Sequence, residues 1–241
     1  MLSKNEAKYI QSLCHKKERQ SERLFIAEGP KIIEELVTSN FVIKKVFALF
    51  NWQTPDFAGN VQVVEVSGDE LRKISNLQTP NQVVAIVQQQ LQNTPPVLKN
   101  QLSIVLDGIQ DPGNLGTIIR IADWFGISQI ICNNDTVELY NPKVIQSTMG
   151  SFVRVNVWYE DTVPLLTSAG VPILGAVLKG KSIYEIEKPK EGILVIGNES
   201  KGISEEVMKC ISCPVTIPRI GGAESLNAAV ATGIILSHLV G

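Results

Sequence analysis

The sequence predicts an α/β fold in two parts, the larger of them built on a mostly parallel sheet. Apolar segments of strand length alternate with segments of helical periodicity along the chain. Several apolar segments of the second part show little polar alternation, as strands covered on both faces of a parallel sheet do. The polar stretch at 88–100 contains Pro95-Pro96, a pair that continues neither a helix nor a central strand. We therefore predict domains at 1–90 and 102–241, joined by a linker at 91–101.

The first part is predicted to be a small α/β domain. Capping-box patterns at 3–6 and 67–70 each precede a short helical run, and Pro30 suits the first turn of a helix that continues to Leu36. The stretch at 15–23 is polar and basic, and no element is predicted there. Strands are expected at 24–27, 42–50, 61–66 and 83–87.

The second part alternates more strictly between strands and helices. Strands are expected at 102–106, 129–132, 153–157, 173–176, 193–196 and 215–217. Helices are expected at 115–124, 142–148, 162–168, 204–209 and 226–239. The last helix has apolar residues on nearly every side, so we expect it to be well buried.

Composition places the chain among globular proteins. Of the 241 residues 44% are hydrophobic and 19% are charged, which argues against disorder. The net charge of -2 gives no overall basic signal for nucleic acid, although a local patch stays open. No apolar stretch approaches the roughly 20 residues of a membrane span, and the N-terminus lacks the apolar segment of a signal peptide. We expect a cytoplasmic protein with no membrane partner.

The cysteines do not predict a metal site. Cys210 and Cys213 form a single C-x-x-C, and a zinc site needs a second ligand pair that His15 and His238 do not supply. We interpret the thiols as buried or incidental and expect no metal.

Three loops rich in glycine and small polar residues interrupt apolar runs at 106–120, 195–202 and 217–227. For any one loop a tight strand-to-helix turn is a sufficient explanation. Three such loops in one half of the chain indicate strand ends that converge on one ligand. Because the loops hold few titratable groups, we expect the chemistry to depend on backbone contacts and positioning.

The loop at 197–204 nearly matches a phosphate-binding loop. Ile203 occupies the position of the lysine, so the main cationic contact to the phosphates is missing and an ATPase is disfavoured. No G-x-G-x-x-G follows a predicted strand, so the usual dinucleotide-binding pattern is also absent.

Polar residues beside the glycines are the candidate functional groups, each with an alternative. Asn114 suits a helix N-cap as well as a functional role, and Glu199 suits a cap for the helix at 204. Arg120 lies among apolar residues and either binds an anion or pairs with a carboxylate such as Asp123 or Asp107. Capping is likewise the alternative for the pair that opens the last helix, Ser225 and Asn227.

These segments resemble the three motifs of the SpoU (TrmH-like) RNA 2′-O-ribose methyltransferases of the SPOUT superfamily. The resemblance covers about residues 102–241 and departs from the family at Arg219, where an apolar residue is more common. The first part resembles the small RNA-binding domain, similar to a ribosomal protein, that is often fused to these enzymes; 25–29 and 79–85 carry this likeness. The motif residues are Asp111, Pro112, Asn114, Gly116 and Arg120, then Ile196–Gly202, then Ile217, Pro218 and 225–231.

The resemblance implies a deep C-terminal trefoil knot and a bent S-adenosylmethionine held within it. It implies transfer of a methyl group to a ribose 2′-hydroxyl of RNA by a homodimer. The cofactor-binding residues it implies are Ala176, Val177, Ile196, Gly197, Asn198, Gly202, Ile217 and Leu226. The catalytic residues it implies are Arg120, Asn114, Glu199, Ser225 and Asn227.

Arg120 is expected to anchor a phosphate rather than to act as a base, because a guanidinium pKa lies above about 12. The basic stretch near the N-terminus is expected to contact RNA phosphates, with a solvated surface as the equal alternative; its residues are Lys16, Lys17, Arg19 and Arg23. Ribosomal and transfer RNA both stay open as substrates. The alternative function is a non-catalytic RNA-binding or ribosome-associated protein that retains the knotted fold.

Overall fold

The structure, a computed structural model, describes residues 2–57 and 59–240. The chain folds as two compact units. The first contains the residues up to Leu91 together with Leu139–Val153, and the second contains Gln92–Glu138 and the residues from Arg154 onward. Residues 139–153 therefore lie with the first unit, whereas the sequence pattern placed them in the second domain.

The helices and strands alternate as the pattern predicts. The strands are β1 (Leu24–Glu28), β2 (Ile43–Ala48), β3 (Gln62–Glu65), β4 (Val83–Gln88), β5 (Leu102–Asp107), β6 (Gln129–Cys132), β7 (Asn156–Tyr159), β8 (Ile173–Ser182), β9 (Gly192–Gly197) and β10 (Cys213–Thr216). The α-helices are α1 (Lys4–Ser12), α2 (Lys16–Glu22), α3 (Pro30–Val37), α4 (Gly68–Ile74), α5 (Pro112–Trp124), α6 (Pro142–Thr148), α7 (Thr162–Ser168), α8 (Glu205–Met208) and α9 (Ala228–Val240).

The first unit is built on a four-stranded sheet in the order β1-β4-β2-β3. β4 runs antiparallel to β1 and β2, and β3 runs parallel to β2. Ser67 and Glu70 form the complete predicted capping box of α4. At α1 the Ser3 side chain caps as predicted, but Glu6 accepts a hydrogen bond from Lys45 Nζ (2.6 Å) instead of closing the box.

The second unit confirms the predicted parallel sheet. Its six strands follow the order β10-β8-β9-β5-β6-β7, and all five pairings are parallel. The central strands are apolar on both faces, and Val105, Ile131, Ile193 and Val195 are all fully buried. Parallel strands point toward one edge of the sheet, so the residues that follow β5 and β9 are neighbours, and both lie near the point where β8 leaves its pairing with β9 after Gly175.

The pairing of one strand of this sheet is interrupted at two predicted site residues, Ala176 and Val177, although the strand itself is continuous. β8 pairs with β10 at Gly175 and pairs again only at Lys181, opposite consecutive residues of β10. On its other side β8 pairs with β9 only as far as Gly175. Residues 176–180 therefore have no register partner on either neighbouring strand.

Two differences from the predicted elements have local causes. The polar residues 16–22 form α2, a helix that apolar periodicity does not predict. β7 begins at Asn156 rather than at 153, because Ser151–Val153 form a turn of 3-10 helix after Gly150, whose φ is +98°. Within residues 2–57 and 59–240 no helix is long and apolar enough to cross a membrane.

Candidate functional site

The carboxyl ends of β5 and β9 are joined by buried polar contacts. Asp107 pairs in register with Gly197 and is 5% exposed. Its carboxylate accepts hydrogen bonds from Ser204 N (2.7 Å) and Asn133 Nδ2 (2.9 Å). Asn198 Nδ2 donates to the carbonyl of Gly108 (2.6 Å). These bonds fix the loops after β5, β6 and β9 against one another, a positioning role for Asp107 that the sequence pattern did not predict.

Gly197 is required by the turn that follows it. Asn198 and Gly202 exchange two backbone hydrogen bonds of 2.9 Å, which fold residues 198–202 into a tight turn. A Cβ atom at Gly197 would lie 2.2 Å from Ile203 N and 2.3 Å from the carbonyl carbon of Gly202. The nearby backbone of Gly202 and Ile203 therefore explains why residue 197 is a glycine, as expected if the glycines of these loops make tight strand-to-helix turns.

A chain of side-chain hydrogen bonds joins the three glycine loops. Asn227 Nδ2 donates to Asn114 Oδ1 (2.8 Å), and Asn114 Nδ2 donates to Glu199 Oε1 (3.0 Å). Glu199 also accepts from the backbone N–H groups of Gln110 (3.3 Å) and Asp111 (3.2 Å). Three of the five predicted catalytic residues are thus in direct contact, although 113 positions separate Asn227 from Asn114.

These bonds also decide between capping and bridging. The N-cap of α5 is Asp111, whose side chain accepts from Asn114 N (3.0 Å), so the Asn114 side chain is free to bridge. Glu199 does not cap α8. The N-cap position of that helix is Ser204, and the Glu199 carboxylate is bonded instead to Gln110, Asp111 and Asn114. Asn227 caps α9 through bonds from Ala229 N and Val230 N while it bridges to Asn114.

Glu199 is held as a carboxylate by its donors. Partial burial alone would raise its pKa. The hydrogen bonds from the Asn114 side chain and from the backbone N–H groups of Glu199, Asp111 and Gln110 outweigh that effect and lower the pKa below its ordinary value.

Arg120 lies outside this chain of hydrogen bonds. It is exposed on α5 and has no hydrogen-bond or ion-pair partner in the part of the chain that the structure describes. Asp123 pairs with Arg154 (2.9 Å), and Asp107 is used by Asn133 and Ser204, so neither carboxylate pairs with Arg120. An exposed and unpaired guanidinium is suited to bind an external anion such as a phosphate.

Ser225 is also outside the chain of hydrogen bonds. It is exposed in the segment 218–227, all of whose residues are exposed. Arg219 Nη1 donates to Ala223 O (3.1 Å) within the same segment, which gives that unusual residue a local role.

The predicted cofactor residues lie within β8, at the end of β9, just after β9 and β10, and just before α9. Ala176 and Val177 are half-buried at the interruption of β8, and Thr216 Oγ1 donates to Leu178 O there (3.2 Å). Ile196 is 3% exposed, so only its backbone can face a ligand. Leu226 is half-exposed and Ile217 is half-buried. A stretch of β8 without a register partner, together with accessible apolar side chains, fits an adenosine moiety.

The basic residues of the first unit divide into two groups. Lys16 and Lys17 are exposed on α2, and Arg23 is exposed at its C-terminal cap. Arg19 is 2% exposed, and its Nη1 donates to the carbonyls of Leu13 (2.9 Å) and Cys14 (2.5 Å). The prediction that Arg19 contacts phosphate is therefore wrong, because its guanidinium is buried against the end of α1.

The cysteines of the described residues are free, and no group of three or more His, Cys, Asp or Glu side chains in that part of the chain could hold a metal ion.

Comparison with known proteins places this geometry in a family. Residues 101–237 match the model of the SpoU rRNA Methylase family, and residues 4–85 match that of the MRM3-like substrate binding domain. The 23S rRNA (guanosine(2553)-2′-O)-methyltransferase RlmP of Bacillus subtilis (strain 168) is 30% identical over 94% of this chain and 92% of its own length.

Solved structures agree with this match over almost the whole chain. A protein of the TrmH family from Porphyromonas gingivalis superposes with a TM-score of 0.88 at 36% identity, over 99% of this chain and 98% of the other. The AdoMet-bound rRNA methyltransferase of Sinorhizobium meliloti superposes with a TM-score of 0.86 at 29% identity, over 99% and 96%. This chain belongs to the SpoU rRNA methylase family.

Proposed function

We propose that this protein is an enzyme that transfers a methyl group from S-adenosylmethionine to a ribose 2′-hydroxyl in structured RNA, either ribosomal or transfer RNA. The observation that carries the proposal is the hydrogen-bonded chain from Asn227 through Asn114 to Glu199, which unites all three motifs at one edge of the parallel sheet. The relative from B. subtilis, named as a 23S rRNA 2′-O-methyltransferase, supports this substrate class.

S-adenosylmethionine is the proposed cofactor, and when bound it supplies an activated methyl group on a sulfonium. The backbone of 176–177, 196–198 and Gly202, together with Ile217 and Leu226, would hold it. The AdoMet-bound relative from S. meliloti supports this assignment. We further propose that the C-terminal segment forms the trefoil knot of the family. The contact of Asn227 with Asn114 across 113 positions supports that arrangement.

The ribose hydroxyl is a weak nucleophile; its oxygen would bond to the methyl carbon as the hydroxyl loses its proton and the carbon–sulfur bond of the sulfonium breaks, which leaves a neutral thioether. Arg120 would anchor the phosphate beside this ribose through its unpaired guanidinium. A guanidinium carries its proton at neutral pH and has no free acceptor, which argues against Arg120 as a base, so the anchored phosphate is the proposed first proton acceptor. Positioning of this kind accounts for up to about 7–11 kcal/mol of a barrier.

The other polar residues would orient the substrate and the loops. Glu199 holds the start of α5 through its bonds to Gln110, Asp111 and Asn114. Asn227 holds the start of α9 through its cap bonds. Ser225 is exposed beside Asn227 and is proposed to contact the RNA directly.

The test is the substitution Arg120→Ala. We expect loss of labelled methyl transfer to RNA by at least about 100-fold, with S-adenosylmethionine binding by calorimetry unchanged, because Arg120 makes no hydrogen bond or ion pair within the described residues. Arg120→Lys keeps the positive charge but cannot make a bidentate contact with a phosphate. It is therefore expected to transfer methyl groups faster than Arg120→Ala but more slowly than the original protein. Full turnover in Arg120→Ala would contradict the assigned role. RNA binding without any cofactor affinity in the unaltered protein would favour a non-catalytic module instead.

We also propose a cytoplasmic homodimer in which the first unit binds the substrate RNA. The match of residues 4–85 to a substrate binding domain and the exposed Lys16, Lys17 and Arg23 support RNA binding by the first unit.

The exposed apolar surface of the second unit supports the dimer. Trp124 on α5 is 85% exposed and Val230 on α9 is 51% exposed, which leaves apolar surface on two helices that pack together. Light scattering during size-exclusion chromatography measures the mass, and a monomeric mass of 26.4 kDa would contradict the dimer.

A further inference from the structure

The first unit exposes one aromatic ring almost completely. Phe50, just after β2, is 83% exposed and is the most exposed large apolar side chain among the described residues of that unit. An exposed phenylalanine contributes nothing to the core. A ring presented to solvent on an ordered loop is a surface on which a planar group can stack.

The loop that carries Phe50 is anchored on both sides. Leu49 N donates to Gln82 O (2.9 Å), and Trp52 N donates to Leu49 O (3.0 Å). Trp52 is 7% exposed and its ring lies 6.4 Å from that of Phe57. The backbone on either side of Phe50 is therefore held, by the bond from Leu49 to Gln82 and by the buried Trp52, which reduces the backbone entropy lost when a ligand stacks on the ring.

Two further segments converge at this end of the sheet. Gly29 N, after β1, donates to Val83 O (2.9 Å), and Val83 pairs in register with Ala48 of β2. The position of a Cβ atom on Gly29 lies 3.5 Å from Asn81 Nδ2. The segments 29–31, 49–52 and 79–82 thus form one continuous edge, which we call the Phe50 surface.

The polar groups of this surface suit a nucleic acid. Asn51, Thr79 and Asn81 are exposed and offer hydroxyl and amide groups. Lys31 is exposed and has no hydrogen-bond or ion-pair partner in the described part of the chain. The nearby carboxylate of Glu28 is 5% exposed and accepts hydrogen bonds from Ser75 Oγ and from Asn76, so it is not presented to a ligand at the surface.

We propose that the Phe50 surface binds an unpaired stretch of the substrate RNA, with one base stacked on the Phe50 ring, the amides at the base edges and Lys31 at a phosphate. Sequence-specific proteins recognise RNA mainly in loops and bulges, where bases stack on aromatic side chains and their edges are open to hydrogen bonds. This inference rests on the proposed function, and it assigns to the first unit the selection of a single-stranded element.

The binding test uses a fluorescein-labelled 12-nucleotide single-stranded RNA of mixed sequence, with the matching duplex as comparison, followed by fluorescence anisotropy. We expect Phe50→Ala to weaken single-strand binding by about 5- to 150-fold, the fold-change that corresponds to one lost base stack. Phe50→Tyr is expected to bind as the original protein does, whereas Phe50→Leu, apolar but not aromatic, is expected to resemble Phe50→Ala. Tyr9→Ala removes another exposed aromatic ring of the same unit and is expected to have no effect.

A spectroscopic readout separates stacking from a general loss of affinity. In Phe50→Trp, the added indole is expected to be quenched on titration with the single strand beyond any change of the three native tryptophans. Equal binding by Phe50→Leu and the original protein, or an unquenched indole, would overturn the proposal. Because Phe50 is exposed, these variants are expected to fold normally, which a thermal melt checks.

Methyl transfer distinguishes failure of this inference from failure of the proposed function. The assay uses ribosomal and transfer RNA from cells that lack the protein. RNA binding that depends on Phe50, without any methyl transfer, would contradict the proposed function but not the proposal that the Phe50 surface binds RNA. Methyl transfer with an unaltered kcat/KM in Phe50→Ala would contradict the proposal that the Phe50 surface binds RNA, but not the proposed function.

Discussion

At the scale of single residues, the Asn227 amide has two roles at once. Its oxygen accepts the cap bonds of α9, and its nitrogen donates to Asn114. A side-chain amide offers both an acceptor and a donor, so capping and bridging are not alternatives for it. The same residue that begins the last helix therefore also fixes that helix to the first motif.

Glu199→Gln tests the carboxylate in this chain of bonds. A glutamine keeps one acceptor oxygen, which can serve Asp111 N and Asn114 Nδ2 in place of Oε1, but its N–H₂ group then stands in place of Oε2 and opposes the N–H of Gln110. We expect a loss of about 1 kcal/mol in the free energy of unfolding at neutral pH, a modest value because Glu199 is exposed.

The pH dependence of this difference has a definite sign. Since the folded pKa lies below the ordinary value of 4.5, the stabilisation by the carboxylate is complete above pH 4.5 and is lost as the pH falls through the folded pKa. Urea unfolding of both proteins between pH 3 and pH 7 measures it. A difference that grows toward acid pH would contradict the assignment.

At the scale of elements, apolar periodicity predicts most helices and strands, but it does not predict a helix that is made of polar residues. α2 has no apolar stripe, and its buried face is Arg19, which donates to the carbonyls at the end of α1. Such a helix depends on long-range geometry that periodicity does not report. The motif residues could be named from the sequence, whereas the contact between Asn114 and Glu199 depends on β5 and β9 being neighbours in the sheet.

Gly197→Ala tests the turn between β9 and α8. Its Cβ would lie 2.2 Å from backbone, which cannot yield as a side chain can. We expect a loss of about 3 kcal/mol in the free energy of unfolding and a displaced Glu199, measured by denaturant unfolding and by methyl transfer.

The matched control is Gly222→Ala, since no heavy atom lies within 4 Å of the corresponding Cβ position. Its unfolding midpoint is expected to stay within experimental error of the original. Equal stability of both alanine variants would show that the turn has room to relax.

At the scale of the whole molecule, the chain enters the first unit twice. Tyr140 and Phe152, from the returning segment, lie 4.7 and 5.9 Å from Phe25 between ring centroids, and Phe41 completes the group at 5.3 Å from Phe152. Aromatic rings that meet across more than 100 positions leave no local signal, so the sequence pattern assigned residues 139–153 to the second domain.

Phe152→Ala tests whether this aromatic group stabilises the first unit. The side chain is 2% exposed, and truncation of a buried phenylalanine removes about 3–5 kcal/mol. We expect a decrease of that size, measured by urea unfolding and by near-ultraviolet circular dichroism. Phe50→Ala, an exposed phenylalanine of the same unit, is the control and is expected to unfold at the original midpoint. A loss below about 1 kcal/mol in Phe152→Ala would contradict a stabilising role.

The return of residues 139–153 also sets an order of events during synthesis. When residue 91 has left the ribosome, Phe25 and Phe41 have been made but the rings of Tyr140 and Phe152 have not. The nascent first unit must therefore wait for about 60 further residues, including β5 and β6 of the other sheet, before its aromatic group is complete. A ribosome that pauses within this interval would hold an unfinished first unit with part of its apolar surface uncovered.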